Sequence, residues 1–235
     1  MYDRSLFLRT LSRLAVVLPS RYDVPEALSE LTESGTAVLG LCGSWVTLAD
    51  GGRLRLLIAV NQASADLERD HDQLHPFRCP CREAYSTGEV IRVTDIRRQA
   101  TRWPEFAASA MRLSLAGVAA IPMRLDDQVI GALNLYSPEP RTWSDEDMAV
   151  AGALADVATS YLVNASKLRQ QEQLSEQLQG ALESRVVIEQ AKGITACKNG
   201  ITVDEAYQLM RRHARNNNAS LRVVAEAIVA VGLQV

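Results

Sequence analysis

Apolar residues recur at helical spacing twice before any other pattern appears. Leu6, Leu8, Leu11, Leu14, Val17 and Leu18 do so within residues 3–18, and Leu28, Leu31 and Val38 within residues 25–40. The spacing predicts two opening helices. The period then shortens: Ser44 to Ala49 and Arg53 to Val60 are aliphatic and β-branched runs parted by Asp50-Gly51-Gly52, the chemistry of a hairpin turn. A second pair of runs, Gly117 to Arg124 and Val129 to Ser137, flanks Asp126-Asp127-Gln128 and is closed by Pro138 and Pro140. Between the pairs lie a polar stretch with His and Cys, a short helix near Arg82 to Thr87, a strand at Val90 to Val93 and a helix start at Trp103-Pro104. Helices, sheet, an excursion and sheet again make an α+β layout.

Ser144, followed by Asp145, Glu146 and Asp147, is an N-cap with acids in the first turn, and no proline follows it to the end of the chain. A long helix is predicted. Leu162, Ala165, Leu168, Leu174, Leu178 and Leu182 recur along it at mostly three- and four-residue steps, with Gln and Glu between, which reads as a coiled-coil seam interrupted at Gln171 and Ser175. A helix lying on its own domain is the alternative, and the seam is preferred. Gly200 suits a helix C-cap, and Thr202-Val-Asp-Glu205 is a capping box that opens a further helix ended by Asn216-Asn217-Asn218. Ser220 caps a last helix that stops at Gly232. The expected division is a sensor domain at 1–163, a linker helix at 164–182 and a helical unit at 183–235.

With 235 residues, 47% of them hydrophobic, the chain can bury a sizeable core. No stretch approaches the roughly 20 uninterrupted apolar residues of a membrane span, and the N-terminal apolar run lacks the order of a signal peptide, so a cytoplasmic protein is expected. Net charge is −3, but residues 1–180 carry 18 basic and 23 acidic groups whereas residues 181–235 carry 7 and 5. The basic part is the last quarter, by too little to indicate a polyanion on its own. Four cysteines, Cys42, Cys79, Cys81 and Cys197, are too few and scattered for a disulfide framework.

Three marks stand out in residues 181–229: Ala191-Lys192-Gly193, the Ala206 helix with Leu209, Arg211-Arg212 and Ala214-Arg215, and the run Leu221-Arg-Val-Val-Ala225-Glu-Ala-Ile228. On these marks the segment resembles the ANTAR family of RNA-binding antiterminators along its whole length. Residues 5–165 are more loosely similar to a GAF sensor domain, through Cys79-Pro-Cys81-Arg-Glu-Ala-Tyr-Ser-Thr-Gly88, Thr94-Asp95-Ile96 and Ile130-Gly-Ala-Leu-Asn-Leu135. The resemblance implies a GAF-type antiparallel sheet with flanking helices, a long linker helix and a three-helix ANTAR bundle. It implies binding of paired hairpins in nascent messenger RNA, which prevents a terminator from forming, under control of the sensor and of a small-molecule ligand. A homodimer, no cofactor and no membrane association complete the expectation.

The residues support an RNA surface independently. On a helical wheel from Val203, the residues Val203, Ala206, Tyr207, Met210, His213 and Ala214 share one face, and Arg211, Arg212 and Arg215 form an adjoining stripe. Arginine's planar fork binds phosphate bidentately or stacks on a splayed base. Lys192 and Gly193 interrupt a helix where glycine costs about 1 kcal/mol relative to alanine. Either close helix packing or an RNA backbone lying over the helix explains the glycine. Ser220 and Arg222 are candidate phosphate donors at a helix start, although Ser220 also serves as a plain N-cap. Tyr207 is expected in the core.

His71, His75, Cys79 and Cys81 offer enough ligands for one metal ion, but at a spacing that matches no familiar site, and a loop with a packed Cys81 is preferred. Cyclic-nucleotide GAF motifs need an Asn-Lys pair, and there is no lysine before Lys167. No Gly-rich phosphate loop or nucleophile elbow is present, so an enzyme is not expected. A DNA-binding or purely partner-binding regulator is the alternative. Against the former, Leu221 to Val231 holds one basic residue and no Asn or Gln for base edges.

Overall fold

Strand alternation builds the first of two units. In the computed structural model, which describes residues 2–18, 22–50, 53–59 and 78–235, the strands β1 (Gly43–Asp50), β2 (Arg53–Ala59), β3 (Ile91–Val93), β4 (Gly117–Leu125) and β5 (Gln128–Ser137) form one antiparallel sheet in the order β2-β1-β5-β4-β3. Successive side chains point to opposite faces. Ala119, Ile121, Met123, Leu133 and Leu135 enter one core with Val46, while Val118, Ala120, Ala132 and Tyr136 enter a second with Trp45. The first face is covered by α1 (Arg4–Val17), α2 (Val24–Leu39) and the start of the long helix; the second carries α3 (Pro80–Thr87) and α4 (Pro104–Arg112). Both hairpins fall where the alternating runs place them, and the sheet is buried on both sides.

One glycine is dictated by close approach. A Cβ on Gly131 would lie 2.1 Å from the Thr47 carbonyl oxygen, so any side chain there would have to push β5 off β1. Asp126, at the β4–β5 turn, adopts a left-handed φ of 52°, which a short acidic side chain tolerates.

The long helix, α5, runs from Asp145 to Asn199 over 55 residues. The Ser144 hydroxyl accepts from the Asp147 N–H at 3.0 Å, and the Ser144 N–H donates back to the Asp147 carboxylate at 3.3 Å. Ala151, Leu154, Ala155, Ala158 and Tyr161, spaced three or four apart, bury one stripe of this helix in the first core. Full burial of a side chain such as Leu154 contributes roughly 1.5–3 kcal/mol. By length and composition alone the helix passes for a membrane span, with mean hydropathy 1.3 over its best 18 residues, but half of that window is buried inside the fold. Leu162, assigned by spacing to the seam, packs instead against this first core, because it continues the stripe of Leu154 and Tyr161, and Ala165, assigned there too, is buried at 8% exposure.

Tyr161 ties the helices together. Its hydroxyl donates to the Leu14 carbonyl at 2.7 Å, and Tyr22 donates to the Tyr161 carbonyl at 2.7 Å. Burial pushes the phenol up to about 12, above its ordinary value of 10. The folded value exceeds the unfolded one, so the neutral phenol's contribution is whole below pH 10 and is lost as the pH rises toward 12. Tyr161→Phe is expected to lower stability by about 1 kcal/mol at pH 8 and to flatten the loss between pH 10 and 12, as read from denaturant midpoints. An unchanged alkaline slope would contradict this.

The chain divides at Ser166, and the second unit, Lys167–Val235, contains the rest of α5 with α6 (Val203–Asn216) and α7 (Leu221–Val231). Ala191, Met210, Ala214, Val224, Ala225 and Ile228 form its core. The local signals hold. Gly200 and Gly232 take left-handed φ values of 64° and 71°, Thr202 and Glu205 form a reciprocal capping box, and Ser220 accepts from the Val223 N–H at 3.2 Å. Val203, placed by the wheel on the inner face, is 46% exposed, since it sits at the first turn of α6 ahead of the first buried residue, Ala206.

Candidate nucleic-acid interface

α6 presents its arginines because its apolar stripe is narrow. Ala206, Met210 and Ala214 are buried, which turns Arg211, Arg212 and Arg215 outward into solvent. Arg212 and Arg215 make no hydrogen bond or ion pair to a described residue, and Arg211 lies with its guanidinium 5.7 Å from the centre of the Tyr207 ring. Tyr207 is not in the core. It is half-buried, with the Lys192 ammonium 5.4 Å from the same ring, so that its ring joins α6 to α5 through Lys192 while Arg211 flanks it from its own helix. Long-range packing places it there; the wheel alone has no term for the α5 cation.

Lys192 is less available than the arginines. Its ammonium donates to both oxygens of Glu189, at 2.9 and 3.0 Å, and its side chain is only 15% exposed. Gly193 beside it is exposed, and a Cβ built there meets nothing within 4 Å. Helix packing within the chain therefore does not explain the glycine. Lys192, Tyr207 and Arg211 thus meet around one ring, and Gly193, next to Lys192 in the chain, leaves bare backbone exposed on α5.

Ser220 and Arg222 behave differently. Ser220 is occupied as an N-cap. The Arg222 guanidinium donates to Glu226 at 2.7 Å and to the Gly180 carbonyl at 3.4 Å, with Glu183 at 3.9 Å, so it clamps the start of α7 to α5. The Glu226 hydrogen bond, then its charge, raise the Arg222 pKa above its already high value.

Farther along α5, Leu174, Leu178 and Leu182 are 56%, 57% and 65% exposed, and Leu168 is half-buried. Val186, 57% exposed, extends the apolar stripe toward Lys192. Sequence periodicity did not include it.

On the sensor unit, the second face of the sheet holds unsatisfied polar atoms. Among the described residues, Trp45 Nε1 and Asn134 Oδ1 are buried without a hydrogen-bond partner, and the two residues are directly opposite one another in the β1–β5 register. A donor and an acceptor thus face the same side of the sheet, each buried at a cost of about 1–3 kcal/mol if left unmade. An open cleft of about 400 Å³ lies elsewhere, lined by Leu48, Tyr85, Gln128, Ile130, Leu162 and Ser166. His71 and His75 lie outside the described residues. Among the described residues no group of three or more His, Cys, Asp and Glu converges as for a metal, and Cys79 and Cys81 pack in the second core.

The GAF domain family matches residues 22–163 and the ANTAR domain family residues 176–229. Among solved structures, the GAF domain of a phosphoenolpyruvate-protein phosphotransferase from Coxiella burnetii aligns at 15% identity and TM-score 0.53, over 71% of this chain and 98% of that one. The free methionine-R-sulfoxide reductase of Neisseria meningitidis aligns at 17% identity and TM-score 0.53, over 72% and 95%. The A. aeolicus nlh2 GAF domain aligns at 13% and 0.51, over 71% and 98%. At these identities the likeness is one of fold. No curated protein matches the chain. The sheet with its two covered faces, the capped helical unit that follows it in the chain and the two family matches accordingly place the chain in the GAF domain family, with the GAF–ANTAR architecture of sensory, RNA-binding antitermination regulators.

Proposed function

We propose that the protein binds a pair of hairpins in the leader of a nascent messenger RNA and holds them against a competing terminator, so that polymerase reads on. It acts in the cytoplasm, by binding alone, and makes or breaks no bond. The observation that carries this reading is the exposed arginine stripe of α6, with Arg212 and Arg215 unpaired among the described residues, together with the bare backbone of α5 at Gly193. Arg211, Arg212 and Arg215 take phosphates and loop bases, Tyr207 offers an aromatic edge beside them, and the RNA backbone lies over Gly193. Lys192 contributes by exchanging its Glu189 partner for phosphate. Ser220 and Arg222 act through the fold, by fixing the start of α7. The functional division follows the expectation of a sensor at 1–163, a linker at 164–182 and an RNA-binding unit at 183–235, with two chains paired along Leu168, Leu174, Leu178 and Leu182.

The sensor half takes a small ligand over the Trp45–Asn134 face. A molecule with one acceptor and one donor would satisfy the two orphaned atoms that the sheet leaves there.

A pool of hairpin RNAs with randomised loops, competed against duplex DNA of matched length, tests the partner class. Retention of the RNA under excess DNA is expected; equal displacement by DNA would favour a DNA-binding regulator, and no retention of either a protein-partner role. Gly193→Ala separates binding from folding within the same assay. Alanine is the better helix former by about 1 kcal/mol and meets no neighbour, so the variant is expected to melt higher while binding the RNA pool more weakly. Unchanged affinity would remove Gly193 from the surface.

A further inference from the structure

Cys79 and Cys81 meet in the second core with their sulfurs 2.7 Å apart. The chain direction forces the encounter. Cys79 is extended, at φ −145° and ψ 162°, Pro80 opens α3, and Cys81 falls on the first turn, so the two side chains emerge on one side of a single proline. A disulfide bond is about 2.05 Å long, so little motion separates this contact from a covalent bond. Cys79 is also the N-cap of α3: its sulfur accepts the Arg82 N–H at 3.4 Å. Both side chains are buried, at 5% and 4% exposure.

The other two cysteines are placed differently. Cys42 donates to the Tyr136 carbonyl at 3.3 Å, and burial pushes its thiol up, which keeps it protonated and unreactive. Cys197 is exposed on α5 in the other unit.

We propose that Cys79 and Cys81 form a reversible thiol–disulfide pair that is closed by a hydroperoxide. The Cys79 thiol gives up its proton as its sulfur attacks one peroxide oxygen; the O–O bond breaks, the leaving oxygen takes up that proton, and a sulfenic acid and an alcohol, or water from hydrogen peroxide, are formed. The Cys81 sulfur then attacks the sulfenic sulfur; the S–O bond breaks, the Cys81 proton leaves with the hydroxyl as water, and the disulfide is complete. Two thiols are oxidised and one peroxide is reduced. Closure draws into a covalent bond the sulfur that caps α3, a helix that packs on β3, β4 and β5 beside Trp45. The pair is thus a modification site in the sensor unit whose chemistry does not depend on the RNA reading.

The test is hydrogen peroxide treatment of the reduced full chain, followed by alkylation, trypsin digestion and mass spectrometry. The expected result is a peptide of residues 79–82 lighter by two hydrogens and restored by dithiothreitol, with Cys42 alkylated as before. In Cys81→Ser, a dimedone adduct is expected at Cys79; in Cys79→Ser, oxidation at residue 81 should slow tenfold or more. An unmodified 79–82 peptide, irreversible sulfinic or sulfonic products at both positions, or oxidation confined to Cys197 would overturn the proposal, and the wild-type digest decides this even if a variant fails to fold.

Discussion

Charging the leucine stripe, by Leu174→Glu with Leu178→Glu, is expected to make the chain sediment as a single 25.8 kDa species instead of twice that mass. Both side chains are more than half exposed on a helix that packs nothing against them within its own unit, and a second copy is the occupant with the matching stripe. The expected consequence for binding is larger than for mass. Two linked RNA-binding units engage two linked hairpins with an effective concentration that adds roughly 10²–10⁴ to the affinity of either unit alone. The variant should therefore bind a two-hairpin RNA only as well as a one-hairpin RNA, a hundredfold or more below the parent chain. Parent-like mass or parent-like affinity would each show that the stripe is not the seam. Since neither residue is buried, circular dichroism should be unchanged.

The second large effect is expected at the arginines. Arg212→Ala should cost about 1–3 kcal/mol of RNA affinity, and adding Arg215→Ala should deepen the loss, with melting temperature unchanged. Neither side chain bonds to a described residue, so nothing in the fold is released by truncation. Arg222→Ala is the contrast. It removes the contacts to Glu226, Gly180 and Glu183, so it should lower the melting temperature together with affinity. Lys192→Ala falls between, since its Glu189 partner must be given up before phosphate can be taken. The arginine losses should shrink as salt rises, because phosphate contacts release counterions.

Much of this was legible in the sequence, for reasons that differ by element. Alternation along Gly117 to Ser137 and the turn at Asp126 are local, and the hairpin followed from them. The helical unit was legible through its caps, Thr202, Ser220, Gly200 and Gly232, each of which acts within a few residues of itself. The losses came from contacts between distant residues. Tyr207 looks apolar on the wheel of its own helix, yet Lys192 on α5 and Arg211 hold it at the surface. Arg222 looks like an exposed cation at a helix start, yet Gly180 and Glu183, some forty positions away, engage it. Leu162 and Ala165 share the spacing of the seam, but Leu162 packs against the first core and Ala165 is buried, and spacing alone cannot say what covers a stripe. The contact between Cys79 and Cys81 was hidden for the opposite reason: two residues so close in sequence meet only if the backbone changes from extended to helical between them.

The central claim, that this protein reads hairpin loops through the α6 arginines, is tested most directly by sequencing what it retains. A library of two-hairpin RNAs with fixed stems and randomised loops would be taken through successive rounds of binding to the full chain, with the Arg211→Ala, Arg212→Ala, Arg215→Ala triple variant in parallel. A paired A-form stem hides its base edges, so information should concentrate in the loops. The account predicts enrichment of defined loop bases at both hairpins by the parent chain and none by the variant. Retained loops that stay random, or the same loops enriched by the variant, would contradict it.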